Sequence, residues 1–258
     1  MSSSGKRAPF AILTRGRTGS TFLVDALDQQ PGIRCFQELL VTTCPICSLG
    51  IQFFEGSYSE GGACQCFVHV AGETSVAEWL DGVLARCTQH VTQRVGFKAL
   101  ARALEDWPDL RGVLTEKCDM VILTRNPFDE ALSGGYANAI GKWNVRRSSA
   151  ESLELRRLQQ QPVRLDPSWV VDEVRYSAAW HTQARELTEQ CRRPPLWIDF
   201  SDVTQGASGV DRVLAYLGGK PSLRIEDRLE RNLADRAKQI ENFDEICAAV
   251  RAAGMDAA

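Results

Sequence analysis

The 258-residue chain has only three histidines, His69, His90 and His181, so a catalytic imidazole has few places to come from. No apolar run approaches the ~20 residues that a membrane-spanning helix needs. The formal net charge of -3 gives no global basic field of the kind that gathers nucleic acid. No internal repeat is visible. The first seven residues, Met1 to Arg7, are polar and lack the apolar core of a signal peptide. These absences point to a soluble, cytoplasmic protein with no transmembrane segment and no nucleic-acid partner. They leave a homo-oligomer open.

What is present suits one domain with an insertion. Hydrophobic residues make up 44% of the chain, enough for an ordinary buried core. Short, mostly apolar segments at Phe10–Leu13, Ile33–Phe36, Val95–Leu100, Met120–Thr124 and Leu196–Phe200 read as strands. Helical spacing between them covers Ser20–Gln29, Ser75–His90, Leu100–Trp107, Leu110–Thr115, a helix from Pro127, Val170–Cys191, Val210–Leu217 and a tail from Leu229 to Ala253. Strands that alternate with helices and stay apolar along their length predict an α/β fold with a central, mainly parallel sheet. Two stretches break the pattern. Residues 42–67 have little periodicity and read as a Cys-rich insertion. Residues 142–166 are rich in Arg, Gln and Ser and read as a mobile, substrate-side segment.

Two strand-to-helix turns carry the chemistry. The first is Thr14-Arg-Gly-Arg-Thr-Gly-Ser-Thr21. Its glycines and the helix start at Ser20 offer free backbone N–H groups and a helix dipole, which favour an anion. Arg15 and Arg17 flank Gly16 and can fork onto oxyanions. Thr18, Ser20 and Thr21 add hydroxyls. The ATP-type loop reads G-x-x-x-x-G-K-[ST], and no lysine precedes Ser20 or Thr21 here. The plainer alternative is that Thr18 or Ser20 caps the helix while the arginines are solvated. The second turn is Arg125-Asn-Pro-Phe-Asp129 after the strand ending at Thr124, with Ser133 about two helical turns further on. Parallel α/β sheets bind ligands at the carboxyl ends of their strands. The plainer alternative here is an Arg125–Asp129 surface pair and a solvent-facing Ser133.

Together the turns resemble the sulfotransferases that use 3′-phosphoadenosine 5′-phosphosulfate (PAPS) as donor. In that family the first loop reads roughly [K/R]-[S/T]-G-[S/T]-[S/T], matched by Arg17-Thr18-Gly19-Ser20-Thr21. The second signature, Arg-Asn-Pro-x-Asp with a serine eight residues after the arginine, is matched by Arg125 to Asp129 and Ser133. The resemblance is closest to the bacterial carbohydrate branch, of the trehalose and Nod-factor type. That branch carries arginine in the first loop, a Gly-Phe-Lys strand like Gly96-Phe97-Lys98, and an ending like Ile240-Glu-Asn-Phe-Asp244. The match is thin across residues 42–67 and 142–166.

The resemblance implies a P-loop-like three-layer fold and transfer of a sulfuryl group from PAPS to a hydroxyl of a carbohydrate or glycosylated small molecule. It assigns donor binding to Arg15, Gly16, Arg17, Thr18, Gly19, Ser20 and Thr21 around the 5′-phosphosulfate, and to Arg125 and Ser133 on the 3′-phosphate. Arg17 takes the place of the family's catalytic lysine or arginine. Gln37-Glu38 matches the pair that supplies the acceptor base, which makes Glu38 the candidate; the plainer alternative is a solvated or salt-bridged carboxylate. Lys98 either reaches the sulfonate or is a surface lysine. His69, His90 and His181 all read better as structural or exposed. Trp143, Trp169 and Trp180 are candidates to stack on an acceptor ring, with a core role as the alternative. The rival functions are a kinase-like phosphoryl transferase and a non-catalytic nucleotide-binding module.

Four of the nine cysteines, Cys44, Cys47, Cys64 and Cys66, fall in the aperiodic insertion. The C-x2-C pair followed by a second close pair is zinc-ligand spacing, so a structural zinc is expected there, with two disulfides or free thiols as alternatives. Cys35, Cys87, Cys118, Cys191 and Cys247 are scattered and read as small buried hydrophobes.

Overall fold

The computed structural model describes residues 8–38, 59–60, 63–64, 75–78, 80–81, 94–145, 147, 150–204, 208–220, 225–226, 229, 231 and 233–257. The chain divides into two compact units. One comprises Met1–Thr124 with Ala184–Ile225, and the other Arg125–Gln183 with Glu226–Ala258.

The first unit is built on a five-stranded sheet. Its strands are β1 (Phe10–Thr14), β2 (Ile33–Glu38), β5 (Arg94–Leu100), β6 (Asp119–Thr124) and β7 (Leu196–Asp199), in the order β2-β5-β1-β6-β7. Every pairing in it is parallel. A separate two-stranded antiparallel ribbon, β3 (Ser59–Glu60) with β4 (Ala63–Cys64), lies in the segment expected to be an insertion. β1 is central, and all five of its residues are buried. That burial on both faces is why Phe10–Leu13 reads as an unbroken apolar run rather than an alternating one. Phe10, Ile12, Val121 and Leu123 pack with Leu23, Val24 and Leu27 of helix α1 (Ser20–Asp28) and with Val210, Val213 and Leu214 further along. Each such side chain contributes about 1.5–3 kcal/mol when fully buried.

Further helices of this unit among the described residues include α2 (Ala103–Asp106), α3 (Leu110–Lys117), α7 (Phe200–Thr204) and α8 (Ser208–Tyr216). Phe200, expected to end the last strand, opens α7 instead. At the amino end of β6, buried Asp119 meets Arg94 at 2.7 Å, Arg193 at 3.2 Å and Arg192 at 3.9 Å. A buried carboxylate needs such partners, and their concentration here pins the end of the sheet away from the strand tips.

The second unit contains α4 (Pro127–Ile140), α5 (Ala150–Leu158), α9 (Arg236–Gln239), α10 (Phe243–Ala252) and most of α6 (Pro167–Thr188). Its core joins Phe128, Leu132 and Tyr136 to Val170 and Val174 and to Ile246 and Val250. The 142–166 segment, expected to be a mobile, substrate-side excursion, carries α5 and then a parallel bridge of Val163 to Ile240. The helical tail expected from Leu229 to Ala253 is corrected in one respect. It is broken between α9 and α10. Asn242 bonds both the N–H (3.1 Å) and the C=O (2.8 Å) of Leu165, and Gln239 donates to the Tyr136 hydroxyl at 3.0 Å. These distant partners outcompete local helical continuation.

Among the described residues, no helix is long and apolar enough to cross a membrane.

Candidate functional site

The turn between β1 and α1 reverses the usual backbone hand three times. Gly16 has φ 125°, Arg17 φ 54° and Gly19 φ 75°. Arg17 is the one non-glycine residue with positive φ among the described residues. That conformation costs about 1–2 kcal/mol for a residue with a Cβ. Such strain persists only where the surroundings impose it, and it clusters at ligand sites. Mixed-hand runs of backbone are also the pattern of anion-binding nests.

The helix that follows has no side-chain cap: its N-cap is Gly19. The alternative in which Thr18 or Ser20 merely caps α1 therefore fails. Thr18 instead bonds the Thr14 hydroxyl across the turn. A Cβ on Gly19 would stand 2.7 Å from the Phe200 ring, so α7 packs directly on the glycine. No local pattern marks this buttress, since Phe200 is far from Gly19 along the chain. Arg15 and Arg17 are half-buried.

The carboxyl ends of β2 and β5 bring further groups to the same edge of the sheet. β1 and β5 are paired from Phe10–Gly96 to Thr14–Leu100, so the tips of these strands are level. Register slips between β2 and β5: Phe36 faces Phe97, but Glu38 faces Lys98, which leaves Gln37 as an extra residue. A bulge of this kind re-aims a side chain next to a site. Here Glu38 Oε1 lies 2.7 Å from Lys98 Nζ. Lys98 is only 3% exposed and also donates to Thr21 Oγ1 at 3.3 Å. Gln37 is buried; its amide reaches the Thr21 carbonyl at 3.5 Å, and its Oε1 has no hydrogen-bond partner among the described residues. Lys98 is thus a buried ion-pair member rather than a surface lysine. Glu38 is salt-bridged rather than simply solvated, with its side chain 34% exposed.

The second segment belongs to the other unit. Asn126 accepts from the N–H groups of Phe128 (2.8 Å) and Asp129 (3.2 Å), and Pro127 occupies the first turn of α4. Asp129, the partner offered for Arg125 in the plainer alternative, is ion-paired with Arg236 and also acts on the Arg125 charge. Burial pulls the Arg125 guanidinium below its ordinary pKa, while Asp129 and Glu130 push it back up. Ser133 is 5% exposed and therefore not solvent-facing. Deeper in this unit the Ser177 hydroxyl donates to Glu130 at 2.5 Å, with both residues buried.

Other candidates divide sharply. Trp180 is buried and Trp169 packs on the second core, while Trp143 is exposed. His181 is half-buried on α6; His69 and His90 lie outside the described residues. Cys35, Cys118 and Cys247 are buried free thiols and Cys191 is half-buried. Burial pushes the Cys118 thiol up to about 12 and raises Cys35 as well. Of the expected zinc ligands, Cys44, Cys47 and Cys66, with the side chain of Cys64, lie outside the described residues. No group of three or more potential metal-binding side chains occurs among the described residues.

No known family's sequence profile matches the chain. No curated protein matches it either. Solved structures give three likenesses worth recording. A sulfotransferase from Alicyclobacillus acidocaldarius is 18% identical, with 98% of each chain covered and a TM-score of 0.46. The sulfotransferase domain of the Synechococcus PCC 7002 olefin synthase is 16% identical, with 95% of this chain and 85% of that chain covered and a TM-score of 0.49. A retinol dehydratase in complex with retinol and PAP is 14% identical, with 93% and 66% covered and a TM-score of 0.34. At these identities and scores the likenesses carry no argument. The α/β fold rests on the parallel sheet itself.

Proposed function

We propose that the chain is a PAPS-dependent sulfotransferase acting on a hydroxyl of a carbohydrate or glycosylated small molecule. The observation that carries this reading is the strained, uncapped turn centred on Arg17. It leaves the N-cap position of α1 to Gly19, with no side-chain cap, an arrangement that suits a bound anion. Arginine at that centre, with no Gly-Lys-[Ser/Thr], favours sulfuryl over ATP-dependent phosphoryl transfer. Glu38, at the tip of β2, supplies a carboxylate for the acceptor.

In the proposed reaction the acceptor oxygen attacks the sulfur in line with the leaving group. A new S–O bond forms and the bond from sulfur to the bridging phosphate oxygen breaks. That oxygen keeps the electron pair, and Arg17 neutralises its growing charge. Glu38 takes the hydroxyl proton. Arg15, Gly16, Thr18, Gly19, Ser20 and Thr21 cradle the 5′-phosphosulfate. By the motif, Arg125 and Ser133 recognise the 3′-phosphate, and their variants test that assignment separately. The chemistry asks for no metal at this centre. A cytoplasmic location belongs to the same reading. A four-thiolate zinc at Cys44, Cys47, Cys64 and Cys66 is a separate structural proposal, and metal analysis giving about one zinc per chain supports it.

Calorimetry with 3′,5′-adenosine bisphosphate against Mg-ATP tests the functional reading. Binding of the bisphosphate with no heat from ATP is expected. The reverse result replaces the reading with a kinase-like one.

A further inference from the structure

The Lys98 ammonium stands between two claimants. It is buried, it is paired with Glu38 at 2.7 Å, and it donates to Thr21 in the first turn of α1 at 3.3 Å. An ammonium has three donors, and two are used among the described residues. Thr21 lies in the first turn of α1, beside the turn proposed to seat an anion. Lys98 therefore touches both the proposed base and the edge of the proposed anion seat.

We propose that Lys98 is a positioning residue for Glu38, exchanging its carboxylate for the anion bound on the turn. This rests on the functional reading above and adds an order of events to it. Without donor, Glu38 is held in an ion pair, and its Oε1 is engaged with Lys98 rather than with an acceptor hydroxyl. A phosphosulfate on the turn carries more negative charge than one carboxylate and lies on the Thr21 side of the ammonium. Lys98 swings toward it. Glu38 loses its partner, and its oxygens turn to the acceptor. Being 34% exposed, Glu38 has room to turn, while Lys98 at 3% does not leave the protein interior. No bond is made or broken in the exchange; one ion pair replaces another. The donor therefore binds first, and the base becomes available only when there is a sulfuryl group to receive.

A double-mutant cycle read by 3′,5′-adenosine bisphosphate binding separates this exchange from simple repulsion. Glu38→Gln in the wild-type background should tighten binding by about threefold to tenfold, because the competitor for Lys98 is gone. Lys98→Gln should weaken it by about tenfold or more, and in that background Glu38→Gln should change nothing beyond about twofold. If Glu38→Gln tightens binding equally in both backgrounds, the carboxylate only repels the anion and the exchange is overturned. Lys98→Met serves as a second variant, with thermal melts checking that each protein is folded. A crystal structure of the wild-type complex reads the exchange with no substitution. Lys98 Nζ within hydrogen-bond reach of the phosphate and parted from Glu38 supports it; an unbroken Glu38 pair overturns it. A wild-type protein that ignores the bisphosphate overturns the functional reading and this inference with it. Binding with an additive cycle overturns the inference alone.

Discussion

After β1 the chain turns through Gly16, Arg17 and Gly19, all at positive φ, and enters α1 with no side-chain cap. After β6 it turns through Arg125 and Asn126 with no positive φ and enters α4 with Asn126 bonded to two N–H groups. Both turns follow a strand of the same parallel sheet and both precede a helix. The first has no side-chain cap, and its strained backbone is buttressed by the packing of Phe200 on Gly19. The second fills donors from within, so it has side chains rather than backbone to offer a ligand. A generic strand-to-helix connection looks like the second turn. The first is the costly one, and that cost is what singles it out as the proposed anion site.

The largest effect tests the strain directly. Arg17→Ala should lower kcat by about a hundredfold or more, as loss of a charge-stabilising donor does. Arg17→Gly should lose activity equally, yet gain about 1 kcal/mol of stability as the left-handed cost disappears. Chemical denaturation checks the second half; a destabilised Arg17→Gly breaks the claim that the backbone here is strained. Next, Gly19→Ala places a methyl against Phe200 at positive φ. It should cost about 1–2 kcal/mol for the backbone alone and weaken bisphosphate binding in calorimetry. Gly19→Ala protein that melts and binds like wild type would make the first turn ordinary.

At the second turn the prediction is smaller and purely structural. Asn126→Ala removes the cap of α4 and should cost about 1 kcal/mol in urea unfolding. The last effect, silent near neutral pH, lies at the opposite end of β6. The Cys118 thiol sits at about 12 in the folded chain, above its usual value of 9.0. Below the unfolded pKa its contribution to stability is complete. As pH rises from about 9 toward 12 the unfolded chain releases that proton and the folded chain keeps it, so stability falls. Cys118→Val should flatten this part of the pH–stability curve without touching anion binding.

Strands β1 and β6 were legible because burial on both faces leaves an unbroken apolar run, Phe10–Leu13 and Met120–Leu123. The two turns were legible because Gly16, Gly19, Asn126 and Pro127 are residues that such geometry requires or favours. Arg17 was legible as a charge but not as a strained backbone position, since nothing in a sequence marks an arginine as left-handed. The bulge at Gln37 and the Glu38–Lys98 pair were hidden for another reason. Register between β2 and β5 is set by their pairing in space, and the two strands are far apart in the chain. The break between α9 and α10 is similar: Gln239 and Asn242 look helix-compatible until Tyr136 and Leu165 claim their amides. Local pattern thus located the candidate site, while long-range pairing decides how its groups face one another.

Transfer of labelled sulfate from PAPS to a panel of sugars and glycosylated hydroxyl compounds tests the central claim most directly. The account predicts label on at least one acceptor with the wild-type chain, and none above background with Arg17→Ala or Glu38→Gln. Tight bisphosphate binding with no transfer to any acceptor, or equal transfer by the Arg17→Ala protein, would contradict it.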